Sequence, residues 1–568
     1  MFTESEKEIL EKYVTSAEDN VFAIKGLNGI VGAVYARYSR AKGGFRETLL
    51  KEFIQEGNID PKHADELIAR VLVAYGDDSV GELEGAHVSF EKISMLSTKE
   101  IEDHRIGGSP IEQSTRYVFY DQKNENGWLY YKGAELAENP KFGRQYLDVM
   151  DFIFETYARL VEPMKNYFMK QKPLEEAEYD INGDGAKEKW ADLKEEKEQK
   201  AFKTTYNSDL RTKACDTLRA LLPLSTLTNV GMFGNGRFFQ TVITHLLSQD
   251  AREFRDIGEK ALAALSEVIP QYVRRAKRNE YDAGIRQNMF SIANELFGGE
   301  IERPAHLPSY ELLDRGEKMI LENLRAGGVD EKNLSRALQE ASDVRELANI
   351  SYPFTGLSME MLAQKISKMP DAQRKKIAQT YSGNRSSRRD RPGRGLESGY
   401  EYNFDLVTNW GVYKDLMRHR INSQQRQLFT AKIGFYVPEE LAKAGFEQDA
   451  KECVRRSEEL YDAIAAEDRG LAQYAVLHGH YVRWSMSFND REAIHMLELR
   501  STPQGHPNYR LAAQAMHKLI AKRSKWRAEL MGFVDHNDYY WSRADSEARQ
   551  RVKEQELDKR FGGEKDSL

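Results

Sequence analysis

Residues Asp103 to Tyr117 read DHRIGGSPIEQSTRY, a His-Arg pair, two glycines, a serine, then Glu-Gln-Ser-Thr-Arg-Tyr. Adjacent glycines permit backbone conformations that other residues resist, so this loop is suited to close approach by a ligand. Ser109, Ser114, Arg105 and Arg116 offer hydroxyl and guanidinium donors of the kind that grip a phosphate. Glu112 and Gln113 are suited to the polar edge of a base or sugar. On composition alone the stretch is an anion-binding loop or a polar turn held by charge pairs, and both readings stand.

Outward from this loop the chain has a recurring order. Upstream, GAHVSFEKIS from Gly85 reads as a strand or a half-buried helix, because its period is ambiguous. An amphipathic helix is predicted from about Phe142 to Tyr167, followed by a polar stretch to Ser208. Asp180 to Gly185 resembles the start of a calcium loop. Ala191 stands where that loop needs a bidentate carboxylate, so it reads as a surface turn. Arg219-Ala220-Leu221-Leu222-Pro223 then precedes Asn235-Gly236-Arg237, which opens a long helix predicted to run to about Ala276. Near Gly298 the chain begins again, with helical leads at Ser309–Ala326, Glu331–Ser342 and Ser358–Ile377. Next come five arginines between Arg385 and Arg394, a basic loop that either holds a dinucleotide pyrophosphate or is mobile. LESGYEYNFDLV parallels LEGAHVSFEKIS, with Glu397 opposite Glu84. Asn489-Asp490-Arg491 repeats the Asn-x-Arg element, with His495 four residues and Arg500 nine residues beyond Arg491.

The Asp103–Tyr117 stretch resembles the signature of the flavin-dependent thymidylate synthases, Arg-His-Arg, then a serine, then Glu-Gln-Ser-x-Arg-Tyr. Asp103 replaces the first arginine and the loop is one residue longer than the usual pattern. Arg418-His419-Arg420 restores that arginine, but its continuation QQRQLFTAK lacks the Glu-Gln-Ser-x-Arg half. Two complementary halves in repeated order read as an internal duplication. The first repeat spans 1–299, with the nucleotide loop at 103–117 and a polar insertion at 170–208. The second spans 300–568, with a helical tail from 531. The fold class implied is α+β, two tandem repeats, each with long helices packed on a twisted sheet.

The resemblance further implies FAD chemistry on dUMP, with methylenetetrahydrofolate as one-carbon donor and NADPH as reductant, giving dTMP. The cofactor carries the redox work and the protein supplies placement and charge. A composite site from both repeats is implied. In it Glu112, Gln113, Ser114, Arg116, Arg219 and Arg418 bind substrate. Arg500 sits at the pyrimidine edge as the catalytic residue. His419, Arg420, Asn489, Arg491 and His495 face FAD, joined by His104, Arg105, Asn235 and Arg237 from the first repeat. For each arginine alone a surface ion pair is an equal reading, and His495 reads equally as a core histidine. Leu246 stands where the first repeat's pyrimidine-activating arginine belongs. A non-catalytic flavin- or nucleotide-binding scaffold, or a flavoenzyme methylating another uracil-containing substrate, is the alternative.

Composition sets the outer bounds. At 568 residues the chain exceeds one ordinary core. Charged residues at 30% beside 40% hydrophobic ones indicate a soluble globular protein. No run approaches the roughly 18 apolar residues of a membrane span, and the acidic, helical N-terminus is not a signal peptide. A net charge of −7 argues against general nucleic-acid binding. Two cysteines, Cys215 and Cys453, suit a reducing cytoplasm and give no disulfide framework. No histidine spacing indicates a metal site. Dimerisation of the fused chain into a pseudo-tetramer is expected from the family.

Overall fold

The structure is a computed structural model describing residues 2–27, 30–38, 43–55, 58–59, 81–182, 186–297, 301–313, 343–397 and 401–541. The chain forms two compact units. One comprises residues 1–113, 129–147 and 224–300, and the other residues 114–128, 148–223 and 301–568.

The first unit is built on an antiparallel three-stranded sheet. Its strands are β1 (Gly85–Ser94), β2 (Gly108–Glu112) and, between them, β3 (Leu227–Asn235). Thr228, Val230, Met232 and Gly234 alternate inward along β3, the period-two pattern of a half-buried strand. The ambiguous GAHVSFEKIS segment is therefore a strand, because its alternate residues fit the face that β3 buries. β1 carries one extra residue, a bulge at which Lys92 takes φ +54. The Asn229 side chain accepts the Lys92 backbone N–H at 2.9 Å and holds that turn. Ser94 caps helix α1 (Met95–Glu102), and buried Glu253 accepts from both the Ser94 N–H and its hydroxyl, at 2.8 and 2.7 Å.

The single helix expected after Arg237 is divided into Gly236–Leu247, Arg252–Val268 and Pro270–Val273. Ser248 turns its hydroxyl onto the Thr244 carbonyl, and the Arg255 guanidinium takes the carbonyls of Gln249 and Asp250. These local bonds replace a further helical turn.

In the second unit the strands run Ser423–Arg426, Tyr481–Asn489, Glu401–Asn409, Ser309–Leu312, all antiparallel. The first three repeat the order of the first unit's sheet. Hydrogen bonds repeat as well. Met95 and Leu96 donate their backbone N–H to Thr226 O and Leu224 O, and Trp410 and Gly411 donate to His480 O and His478 O. Asn409 caps the helix Trp410–Leu416 as Ser94 caps α1.

Helix Gly143–Gln171 places Met150, Ile153, Phe154, Tyr157, Leu160, Val161, Met164 and Phe168 in the core at helical spacing, as expected. The last part of the polar stretch before Ser208 is helical, within Glu196–Leu218, with Glu196 and Glu198 at its favourable positive end, and the earlier part pairs Glu178–Tyr179 with Glu188–Lys189.

Several leads of the second repeat differ from expectation. Ser309–Leu312 is an edge strand on Phe404–Val407, where pairing overrides helical pattern, and residues 314–342 lie outside the described residues, as do 60–80. Ser358–Ile377 is two helices, Met359–Ser367 and Asp371–Ser382, broken at Pro370, which has no N–H to continue the ladder. Residues 532–541 are irregular rather than helical, with the carbonyls of Asp535 and Asn537 bound by Arg510 and Gln514. Asn182 and Ile181 both bond Glu188, so that carboxylate is occupied by local donors. The centre of the calcium-like loop lies outside the described residues.

The Arg385–Arg394 loop is tied down. Arg385 is bidentate on buried Glu498 at 2.7 and 2.6 Å, and Asp390 accepts the backbone N–H groups of Ser386 and Ser387. Among the described residues no helix is long and apolar enough to cross a membrane.

Candidate active site

The second unit gathers most of the chemistry-bearing residues. Strand Tyr481–Asn489 ends in Asn489, whose side chain caps helix Asp490–Arg500 by accepting the Glu492 N–H at 3.0 Å. That helix presents Glu492, His495 and Arg500. His419, just beyond helix Trp410–Leu416, packs against them. Its Nδ1 lies 2.7 Å from Glu492 Oε1, and Arg500 Nε donates to its Nε2 at 2.9 Å. His495 Nδ1 is 3.4 Å from the other Glu492 oxygen. Burial, reinforced by the Arg500 charge, pushes His419 down to about 4, so the ring is neutral at neutral pH. Burial raises the Glu492 carboxyl, but the hydrogen bonds from His419 and His495 outweigh it and hold the group below its ordinary value. The ligand atoms of His419, Glu492 and His495 lie within 4.8 Å of one another, close enough to face a single ion. Here those atoms are hydrogen-bonded among themselves, beside a guanidinium.

Asn489 also donates to Glu397 O at 3.0 Å. Arg491 donates to Pro392 O at 3.0 Å and pairs with Glu397. In the first unit the same ion pair joins Arg237 to Glu82 at 2.7 Å, so by bonding Glu82 rather than Glu84 corresponds to Glu397. Arg418 is half-buried and Arg420 exposed, and the two flank His419.

Three residues from the first repeat belong to this same unit. Ser114 Oγ accepts the Arg116 backbone N–H at 3.2 Å. The Arg116 guanidinium is buried on Asp216, and its remaining arm donates to Gln504 O at 3.3 Å. Arg219 is 4% exposed, and its one ion-pair partner among the described residues is Asp415 at 3.8 Å. His506, which caps helix Pro507–Arg523, is kept neutral by burial and by the charges of Arg219 and Arg116. Arg500 Cζ stands 5.7 Å from the Tyr509 ring, in the first turn of that helix. Arg116 and Arg219 thus meet the segment 504–509 that Arg500 overlooks.

The remaining candidates lie in the first unit. Glu112 is buried against Lys99 at 3.0 Å, beside a second contact from Lys99 to Glu102 at 2.5 Å. Gln113 accepts from Asn229 at 3.0 Å. Asn235 caps its helix by accepting the Phe238 N–H at 2.8 Å, as Asn489 does for Glu492. Phe238 therefore stands where Glu492 stands in the other repeat, and Leu246 where Arg500 stands. The Phe238 ring lies on Gly108 and Gly234, so a Cβ at Gly108 would fall against the ring carbons. Gly108 of the opening loop thus accommodates a core ring, and Gly107 takes the left-handed φ of +85. His104 Nδ1 contacts Glu100 O at 3.1 Å, its ring lies 4.7 Å from His245, and Arg105 is half-buried.

Glu492, Asp216, His506 and Tyr509 were not among the sequence candidates. Glu492 alone left a signal, three residues before His495 within the Asn-x-Arg block; the others become visible only as contacts.

Paired capping asparagines and two sheets of the same strand order define a duplicated α+β fold, with an arginine-histidine cluster beside helix Asp490–Arg500. The chain belongs to the thymidylate synthase complementing protein family, a flavin-dependent family whose profile matches residues 30–271 and again 342–524. It is similar along nearly its whole length to UPF0159 proteins. One from Chlamydia muridarum is 34% identical over 97% of this chain and 99% of its own. One from Chlamydia pneumoniae is 33% identical over 96% and 98%. One from Thermoplasma acidophilum is 31% identical over 92% and 98%. Among solved structures, a UMP/dUMP methylase from Streptomyces cacaoi bound with 5-Br dUMP shares 17% identity. It covers 33% of this chain and 90% of its own at a TM-score of 0.27, a likeness that carries no functional weight.

Proposed function

We propose that the chain is an FAD-dependent methyltransferase that makes dTMP from dUMP, with methylenetetrahydrofolate and NADPH as co-substrates. The observation that carries this reading is the hydrogen-bonded line Glu492–His419–Arg500 in one compact unit with buried Arg219. A buried guanidinium whose nearest carboxylate stands 3.8 Å away is suited to an anion such as the nucleotide 5′-phosphate, with Ser114 nearby in the sequence of the same loop as Arg116. Arg116 itself is committed to Asp216, so its part is to hold the loop. Arg500 presents donors to the pyrimidine edge and favours negative charge at N3, which enriches C5 as the nucleophile that takes up the one-carbon unit.

The donor set fits FAD. Arg418 and Arg420 flank His419, Asn489 and Arg491 immediately precede Glu492, and His419 is bonded to Glu492, so guanidinium and amide donors lie on the segments joined near the N-terminus of helix Asp490–Arg500. These residues would hold the diphosphate and ring, and bound FAD would supply redox chemistry for the one-carbon transfer. His419 keeps its proton on the side of Glu492. Dimerisation into a pseudo-tetramer and a cytoplasmic location complete the proposal.

The test is the visible spectrum of the purified protein with FAD, before and after dUMP. A flavin band that shifts with dUMP, followed by dTMP formation, supports the reading. Failure to retain or take up FAD overturns it. Phe238 and Leu246 in place of charged residues favour a second reading for the first repeat alone, as a supporting scaffold without its own chemistry.

A further inference from the structure

We infer that Glu492 is the positioning residue for Arg500, acting by fixing the tautomer of the histidine between them. The inference rests on the reading of Arg500 as the pyrimidine-edge cation. A guanidinium has donors only, so the Arg500 Nε–H, 2.9 Å from His419 Nε2, requires that nitrogen to be bare. The proton of the neutral imidazole then sits on Nδ1, where it donates to Glu492 Oε1 at 2.7 Å. The opposite tautomer would set N–H against N–H on one side and a lone pair against a carboxylate on the other. Glu492 thus selects the only arrangement in which His419 can accept from Arg500.

Glu492 is itself fixed. Its backbone N–H is held by the Asn489 cap at 3.0 Å, its second oxygen lies 3.4 Å from His495 Nδ1, and its side chain is buried. With Nε anchored, the two terminal nitrogens of Arg500, which have no hydrogen-bond partner among the described residues, form a fixed fork. A preorganised fork loses less rotamer freedom on meeting a planar imide edge. The first repeat supplies the contrast: with Phe238 and Leu246 at the matching positions, His104 makes no hydrogen bond to a carboxylate or an arginine among the described residues, and its Nδ1 turns to the Glu100 carbonyl. Glu492, Arg500 and His495 all act on His419: Glu492 draws its proton affinity up, and Arg500 and His495 push it down.

The test uses the full-length protein with ¹⁵N-labelled histidine, His419 being assigned among the twelve histidines from the signal lost in His419→Gln. The expected wild-type spectrum shows His419 protonated on Nδ1. In Glu492→Gln the side-chain oxygen still accepts that proton, so the tautomer persists and the acid titration of His419 moves lower. In Glu492→Leu the preference is lost, and dUMP affinity falls about tenfold, the order of one lost charge-assisted hydrogen bond. Inorganic phosphate, which never meets Arg500 in this scheme, binds the Leu variant as it binds wild type. A wild-type His419 protonated on Nε2, or a Leu variant with wild-type dUMP affinity, overturns the inference. If wild type binds no dUMP yet shows the Nδ1–H tautomer, the relay is supported and the proposed substrate is what fails.

Discussion

The Arg116 guanidinium lies flat on the Asp216 carboxylate, Nε to Oδ1 and Nη2 to Oδ2 both at 2.6 Å, with both side chains more than nine-tenths buried. A residue that reads in the sequence as a phosphate grip is in the structure a clamp between the signature loop and the helix Glu196–Leu218. Removing one partner leaves the other charge buried and alone, which costs about 3–5 kcal/mol. Arg116→Ala is therefore expected to lower the main thermal transition steeply. Arg116→Ala with Asp216→Ala together should cost less than the sum of the two single changes. Additive losses in calorimetry would contradict the clamp.

Acid should weaken the fold in two stages. Burial holds His419 to about 4 and His480 to about 3, below the unfolded value of 6.5. As pH falls below 6.5 the unfolded chain takes up those protons first, so stability is complete above that value and lost on the way down through about 4 and 3. Asp216 moves the other way. Burial alone would raise it, but Arg116 and His506 hold it at about 2 against 3.8, so its contribution is lost only as pH drops from about 4 towards 2. Each group contributes about 1.4 kcal/mol per pH unit within its window. Melting temperatures between pH 7 and 4.5 should fall. His480→Asn, which keeps an acceptor for the Leu477 N–H, should flatten the slope, and an unchanged slope would remove His480 from the account.

Arg500→Lys keeps the charge but cannot both bond His419 through Nε and present two further donors in a plane. Turnover with dUMP is expected to fall by about 10²-fold, the scale of losing one preorganised donor at a developing charge. FAD retention should hold, since the residues proposed to contact FAD are untouched. Equal turnover by the Lys variant would mean that charge alone suffices.

The missing arginine of the first repeat should not be restorable by one substitution. Leu246 is fully buried and packs near Gly258, so Leu246→Arg would bury an unpaired charge and destabilise by at least about 3 kcal/mol. Soluble yield and melting temperature read this directly. A stable Leu246→Arg protein that gains a second dUMP site would reverse the conclusion.

Gly108→Ala is expected to destabilise by about 1–3 kcal/mol, because the new Cβ enters the Phe238 ring. The smaller ring-free side chain of Phe238→Leu should relieve part of that loss. No relief in the double variant would show that backbone, not ring packing, selects glycine there.

The sequence by itself determined the duplication and the order of its parts, because these rest on local pattern. The Asn-x-Arg elements at Asn235 and Asn489 and the nine-residue step from Arg491 to Arg500 are each fixed by a few neighbouring residues and by helix periodicity. It also placed the amphipathic helix Gly143–Gln171 within a few residues at either end. What it left undecided was the partner of each charge. Arg116 facing Asp216, His419 between Glu492 and Arg500, and Phe238 filling the space above Gly108 join residues about 70 to about 130 positions apart, and no local pattern encodes them. Only tertiary structure decided those pairings. A buried charge takes whichever counter-charge packing brings within reach, and the low-dielectric interior makes that choice costly to leave unmade.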